Sequence, residues 1–152
     1  MAEPIDETPT QPLDYAAINA TWAALLAGVL VSTRSDAPRA GELPVLGMAA
    51  FALSKALAKE KVGSWARVPV VDEAEGKPKG SRLRYAVGEL VTCTRCVGTW
   101  AAAALASTQI VAPRFGRLLT WSLGAAAAND FLQAGFVALT SKSNELKDRA
   151  ET

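Results

Sequence analysis

Residues 88–100 read GELVTCTRCVGTW, and they hold the only two cysteines of the 152-residue chain, Cys93 and Cys96. They lead into eighteen residues, 96–113, bounded by Arg95 and Arg114 and without a charge between them. At about 1.5 Å per residue such a run approaches the thickness of a bilayer's hydrocarbon core. A pair of thiols therefore stands at the mouth of an apolar helix. Working outward, residues 118–141 are uncharged except for Asp130, and residues 15–33 form a nineteen-residue run with no charge. Residues 43–54 are a shorter run that reaches spanning length if it continues to residue 59, with Lys55 and Lys59 extending their stems toward the surface.

These four runs predict an all-α integral membrane protein: four transmembrane helices in a compact bundle, at about 15–33, 43–59, 89–112 and 117–140. The membrane domain covers residues 15–141, and residues 60–88 form a long cytoplasmic or interfacial loop between helices 2 and 3. Within it, Trp65 suits the headgroup level, and Gly76, Pro78 and Gly80 argue against regular structure over 72–84. Residues 1–14, acidic and holding Pro4, Pro9 and Pro12, predict a disordered tail rather than a cleaved signal. Residues 142–152 form a polar C-terminal tail. Small residues recur four apart, at Ala20, Ala24 and Gly28 and at Gly98, Ala102 and Ala106, a pattern that lets helices approach closely.

Charge sets the threading. The formal net charge is +1, which supplies no nucleic-acid footprint, so no nucleic-acid partner is expected. With four spans, twelve of the sixteen Lys and Arg fall on one side, nine from Lys55 to Arg95 and three in the C-terminal tail, and four fall on the other. The positive-inside rule then places both termini and the cysteine loop in the cytoplasm of a multi-pass protein. The chain has no histidine, so triads, Cys–His pairs and His-ligated metals are excluded. No phosphate-binding loop or nucleophile–base arrangement stands in the sequence, and no enzyme activity is expected.

The order of motifs resembles domain-of-unknown-function family 1360, small bacterial membrane proteins. Lys61-Val62, Arg67-Val68-Pro69 and Cys93-Thr94-Arg95-Cys96-Val97-Gly98-Thr99-Trp100 carry the resemblance, which extends over roughly residues 43–136. Glu60 precedes the Lys-Val step where the family has Asp, and Thr94-Arg95 stands in place of a proline followed by an apolar residue. The resemblance implies a bacterial inner-membrane location and a helical membrane fold. It implies no activity.

Cys93, Cys96 and Trp100 follow at three- and four-residue steps and so share one helix face. Three readings stay open: sulfurs packed at a helix junction, a dithiol–disulfide pair, or half of a Cys₄ zinc site that needs a second subunit. Asp130, beside Asn129, falls near the middle of the fourth run. It reads as part of a proton or ion path, as a helix–helix hydrogen bond with Asn19 as a partner, or as a carboxyl kept neutral by burial. The basic residues 55–67, Lys61 and Arg67 among them, read as an anchor to an anionic leaflet. Zinc is the one cofactor this pattern admits. The expected partners are the lipid bilayer and either further copies of the chain or a larger membrane complex, with the protein acting as a structural or accessory subunit.

Overall fold

The structure is a computed structural model of the chain, and residues 8–32 and 40–150 of it are described. The expected acidic tail up to residue 7, residues 33–39 and the last two residues lie outside the described residues. Among the described residues there are six α-helices: α1 (Pro12–Ser32), α2 (Leu43–Lys59), α3 (Ser64–Arg67), α4 (Leu83–Thr92), α5 (Thr94–Val111) and α6 (Pro113–Ala150). Two-residue strands β1 (Val71–Asp72) and β2 (Lys77–Pro78) pair antiparallel between α3 and α4. The all-α expectation holds.

Pro12, expected to oppose a helix, instead opens α1. Proline suits a first helical position because its missing N–H would have no partner there. Asp14 reaches back to accept from the Gln11 amide at 2.8 Å, closing the helix start. Residues 12–14 thus belong to the helix rather than to a disordered tail.

The core is a layer of small side chains. Leu46, Ala49 and Ala50 of α2 meet Ala101 and Leu105 of α5, with Leu119 and Leu123 of α6 packed against them. Gly124 lies so close to α2 that a Cβ would come within 2.8 Å of Val45 Cγ1. Gly98 faces Ser54, and Ala102 and Ala106 border the core, so the α5 ladder is a packing surface as the spacing predicts. The α1 ladder differs. Ala20, Ala24 and Gly28 are exposed, and nothing lies within 4 Å of where a Gly28 Cβ would be.

The contacts also give the helix directions. Ser54 lies against Gly98 while Leu46 meets the α5 segment around Leu105, so α2 and α5 run oppositely. Val45 touches Gly124 and Phe51 stacks on Phe131 with centroids 5.3 Å apart, so α2 and α6 run the same way. Tyr15 to Trp22 line one cavity with Cys93 to Trp100, and Trp22 to Val29 line another with Trp100 to Ser107, so α1 parallels α5. Successive long helices α1, α2, α5 and α6 therefore alternate in direction.

Among the described residues two helices are long and apolar enough to cross a membrane, Pro12–Val31 and Ala40–Lys59. Only 6 % of the first is buried, and Leu25, Leu30 and Val31 are exposed along it. Helix α6 differs from the expected fourth span of 117–140. It continues to Ala150 through the polar tail, 38 residues or about 57 Å. Its first half packs at Gly116, Thr120, Gly124 and Ala127. Every residue from 131 to 144 is exposed, including Phe131, Leu132, Phe136, Val137 and Leu139.

The connection 60–88, expected to lack regular structure over 72–84, folds into a hairpin and α4. Asp72 Oδ1 accepts from the amides of Ala74 and Glu75 at 3.0 and 3.3 Å, and Gly76 turns the chain with φ of 67°. The same turn residues that discourage a long element build a short one. Gly88 seats α4 on this hairpin, since a Cβ there would meet Pro78 Cβ and Val70 O at 2.7 Å.

Candidate functional site

Helix α4 stops at Thr92, one residue before the first cysteine. The Thr92 hydroxyl donates to the carbonyls of Gly88 at 3.1 Å and Glu89 at 3.0 Å, and Cys93 leaves helical geometry with φ −91° and ψ 107°. It then caps α5: its Sγ accepts from the Cys96 amide at 3.4 Å. The expected continuous helix over 89–112 is thus two helices broken at Cys93. A hydroxyl and a thiol, both able to bond the backbone, take over the groups that an uninterrupted helix would pair.

The break brings the sulfurs together. Cys96 Sγ donates to Cys93 Sγ at 2.9 Å, with Cys96 exposed and Cys93 half-buried. Both cysteines are free thiols. That hydrogen bond holds the Cys93 thiol below its ordinary range. The backbone amides of Cys96 and Arg95 and the Arg95 charge act in the same direction, against partial burial. Cys93 is the better thiolate of the two.

Both thiols border a cavity of about 600 Å³ between α1 and the α4–α5 junction. Tyr15, Asn19 and Trp22 wall it from α1, Glu89 from α4 and Trp100 from α5. The Tyr15 hydroxyl donates to Glu89 Oε2 and is itself within 3.2 Å of Thr10 Oγ1. Trp100 lines this cavity beside both cysteines, as the shared-face spacing predicts. Tyr15, Glu89 and Trp22 were not singled out from the sequence. Glu89 lies four residues before Cys93 and could have been read on the same face; Tyr15 and Trp22 meet it only through the parallel packing of α1.

Asp130 sits elsewhere. Its Oδ2 accepts from Lys55 Nζ at 2.8 Å, and Lys55 also approaches Glu60 at 3.6 Å. Asn19, proposed as its partner, lines the cysteine cavity instead, and Asn129 is exposed. Lys55 stands in the last turns of α2, so Asp130 marks the end of the packed bundle rather than its centre. The two side chains are 40 % and 44 % exposed within the chain.

Arg67 is a third centre, and it is internal. Its side chain is 7 % exposed. Nε and Nη2 grip Glu73 at 2.8 and 3.2 Å, and Nη1 donates to the carbonyls of Leu57 and, at 3.0 Å, of Glu60. A cation thereby caps the open carbonyl end of α2, where the helix dipole favours positive charge. The guanidinium holds the Glu73 carboxyl below the usual range. The leaflet-anchor reading of residues 55–67 is corrected for Lys55 and Arg67, whose charges are met inside the chain. Lys61 and Trp65 remain exposed.

Among the described residues no cluster of three or more acidic, Cys or His side chains is placed to hold a metal ion. The dithiol alone could offer half of a tetrahedral set. A family described as "Protein of unknown function (DUF1360)" matches residues 45–136. That match spans α2 through the first part of α6, with the cysteine pair, Arg67 and Asp130 inside it. No curated protein and no solved structure matches significantly.

Proposed function

The chain belongs to the DUF1360 family of proteins of unknown function, and from that premise we propose that it is a multi-pass protein of the bacterial inner membrane. In this reading α1, α2, α5 and α6 cross in turn, both termini and the cysteine loop are cytoplasmic, and the protein serves as a structural or accessory subunit. The observation that carries it is the inverted surface of α1. A soluble helix hides its apolar stripe, whereas Pro12–Val31 is apolar and only 6 % of it is buried. Lipid is the solvent that makes such a surface favourable. The alternating directions of the four long helices suit four crossings. The asymmetry of Lys and Arg supports the orientation.

The test is membrane fractionation followed by extraction at alkaline pH. The protein is expected in the pellet after both steps, and release by alkali would rule out the integral reading. For the accessory role, Ala102→Leu should disrupt assembly with partner subunits while Cys93→Ser with Cys96→Ser leaves assembly intact. A chain that purifies from mild detergent only as a monomer would contradict that role.

A second reading, thiol redox chemistry, is favoured by the 2.9 Å approach of two free sulfurs at the edge of a cavity.

A further inference from the structure

Between the end of α2 and the hairpin the chain makes a 3₁₀ turn at Lys61–Gly63 and then α3, with Val68 still in helical geometry. The polarity of this piece is inverted. Gly63 and Arg67, four apart, face inward: Gly63 lies on the carbonyls of Ala56 and Leu57, and Arg67 donates to those of Leu57 and Glu60. Val62, Trp65 and Val68, three apart, face outward, and each is more than half exposed. A helix on a soluble surface does the reverse, burying its apolar residues and solvating its cations. Single exposed apolar side chains are ordinary. Here three form one ridge, with an indole at its centre, on an element whose arginine is buried.

Cations frame the ridge. Lys61 stands exposed beside Val62. At the other end the hairpin and α4 bring back Lys79, whose Nζ donates to Val68 O at 3.3 Å, and Arg84, whose Nη2 donates to Pro69 O at 2.7 Å. Glu60 is turned to Lys55, and Glu73 to Arg67. The ridge also follows directly on Lys59, the last residue of α2. It therefore stands at the level where a crossing α2 would leave the hydrocarbon.

We propose that the Val62–Trp65–Val68 ridge docks into the headgroup layer of an anionic leaflet, with Lys61, Lys79 and Arg84 on the lipid phosphates. In that layer the apolar side chains leave water while the flanking cations meet negative charge. A soluble partner protein would fit the apolar ridge alone. The cations at both ends, and the place of the ridge at the end of α2, favour lipid. This inference rests on the membrane reading and adds a surface-bound element between the second and third crossings. It also moves the anchor: Lys55 and Arg67 are engaged within the chain, and Lys79 and Arg84 come from the far side of the hairpin.

The experiment attaches the environment-sensitive fluorophore NBD through Val62→Cys in full-length protein carrying Cys93→Ser and Cys96→Ser. The label is read in nanodiscs of phosphatidylcholine, alone or mixed with phosphatidylglycerol. In the anionic discs its emission should shift to the blue, and a nitroxide on the lipid headgroup should quench it more than one deep in the acyl chain. Added salt should reverse part of this docking. Lys61→Gln should lower the ratio of docked to free label about five-fold in the anionic discs and leave it unchanged in phosphatidylcholine. Trp65→Ala should lower it in both. Lys61 and Trp65 are exposed, so the melting temperatures of both variants should match that of the labelled parent. A label that reports water in both kinds of disc overturns the proposal and leaves the membrane reading intact, with a soluble partner as the occupant of the ridge. Equal docking in both lipids, untouched by Lys61→Gln, overturns the choice of an anionic leaflet. A protein that stays in solution and enters neither disc removes the membrane reading as well.

Discussion

Arg67 shows how much a single side chain can hold. It joins the carbonyl end of α2 to the turn after α3 through Leu57, Glu60 and Glu73. Arg67→Ala leaves two helix-end carbonyls without their donor, and a loss of about 2 kcal/mol in stability is expected from thermal melting in detergent. Arg67→Lys should recover only part, because an ammonium cannot form the two-pronged contact with Glu73. The same pair sets a pH dependence. Glu73's carboxyl is depressed in the fold by the Arg67 hydrogen bond. Its contribution is therefore present above the unfolded carboxylate pKa and is lost as pH falls through the lower folded value. Glu73→Gln should flatten the acid limb of a melting-temperature profile, and it should have no such effect in an Arg67→Ala background. Cys93 can be probed in the same way: alkylation should begin at lower pH than for an ordinary thiol, since Cys96 stabilises its thiolate.

At the scale of elements, the glycines separate packing from chemistry. Gly63 lies against the last turn of α2, where a Cβ would come within 2.4 Å of Ala56 O and 2.5 Å of Leu57 O. Backbone atoms cannot yield there, so Gly63→Ala is expected to destabilise by about 1–3 kcal/mol. Gly28 has open space around it, and Gly28→Ala should be neutral or stabilising by about 0.5–1 kcal/mol through helix propensity. Melting both variants in one detergent checks the contrast. Equal losses would mean that α1 is packed on its Ala20–Ala24–Gly28 side, against the exposure seen here. The contrast also shows what such a pattern leaves open. A four-residue ladder of small side chains marks a surface able to be approached, and only on α5 does a neighbour in this chain approach it.

For the whole molecule, threading is the testable quantity. A reporter fused after residue 75 or after residue 150 should be active only where the cytoplasm is sampled. One inserted at 112, between α5 and α6, should give the opposite result. If 75 and 112 report the same side, α5 does not cross. The Lys55–Asp130 pair ties α2 to α6 at the point where α6 leaves the bundle. Being partly exposed, it is expected to contribute no more than about 1 kcal/mol, so Asp130→Asn should alter melting little. A transport role for Asp130 would instead require that variant to abolish a measurable flux.

The sequence by itself determined the apolar runs and, from them, the first two long helices; the break at Cys93, helix α4 and the extension of α6 to Ala150 were not legible in it. Runs such as 15–33 and 43–59 fall within a few residues of α1 and α2 because helix length follows local composition and uncharged stretches are self-evident. It also brought Cys93, Cys96 and Trp100 to one wall, since steps of three and four residues fall on one helix face, and the break at Cys93 leaves them there. What it left undecided was every relation between distant segments. Asp130 meeting Lys55, Tyr15 meeting Glu89, Trp22 roofing the cysteine cavity and Arg67 capping α2 depend on how helices pack. Packing is settled by close approaches at Gly63, Gly88 and Gly124 that no local pattern encodes. Helix formation is a short-range matter of backbone and neighbouring side chains. The partners of a charge or an indole N–H are a long-range one, and only the tertiary structure decided them.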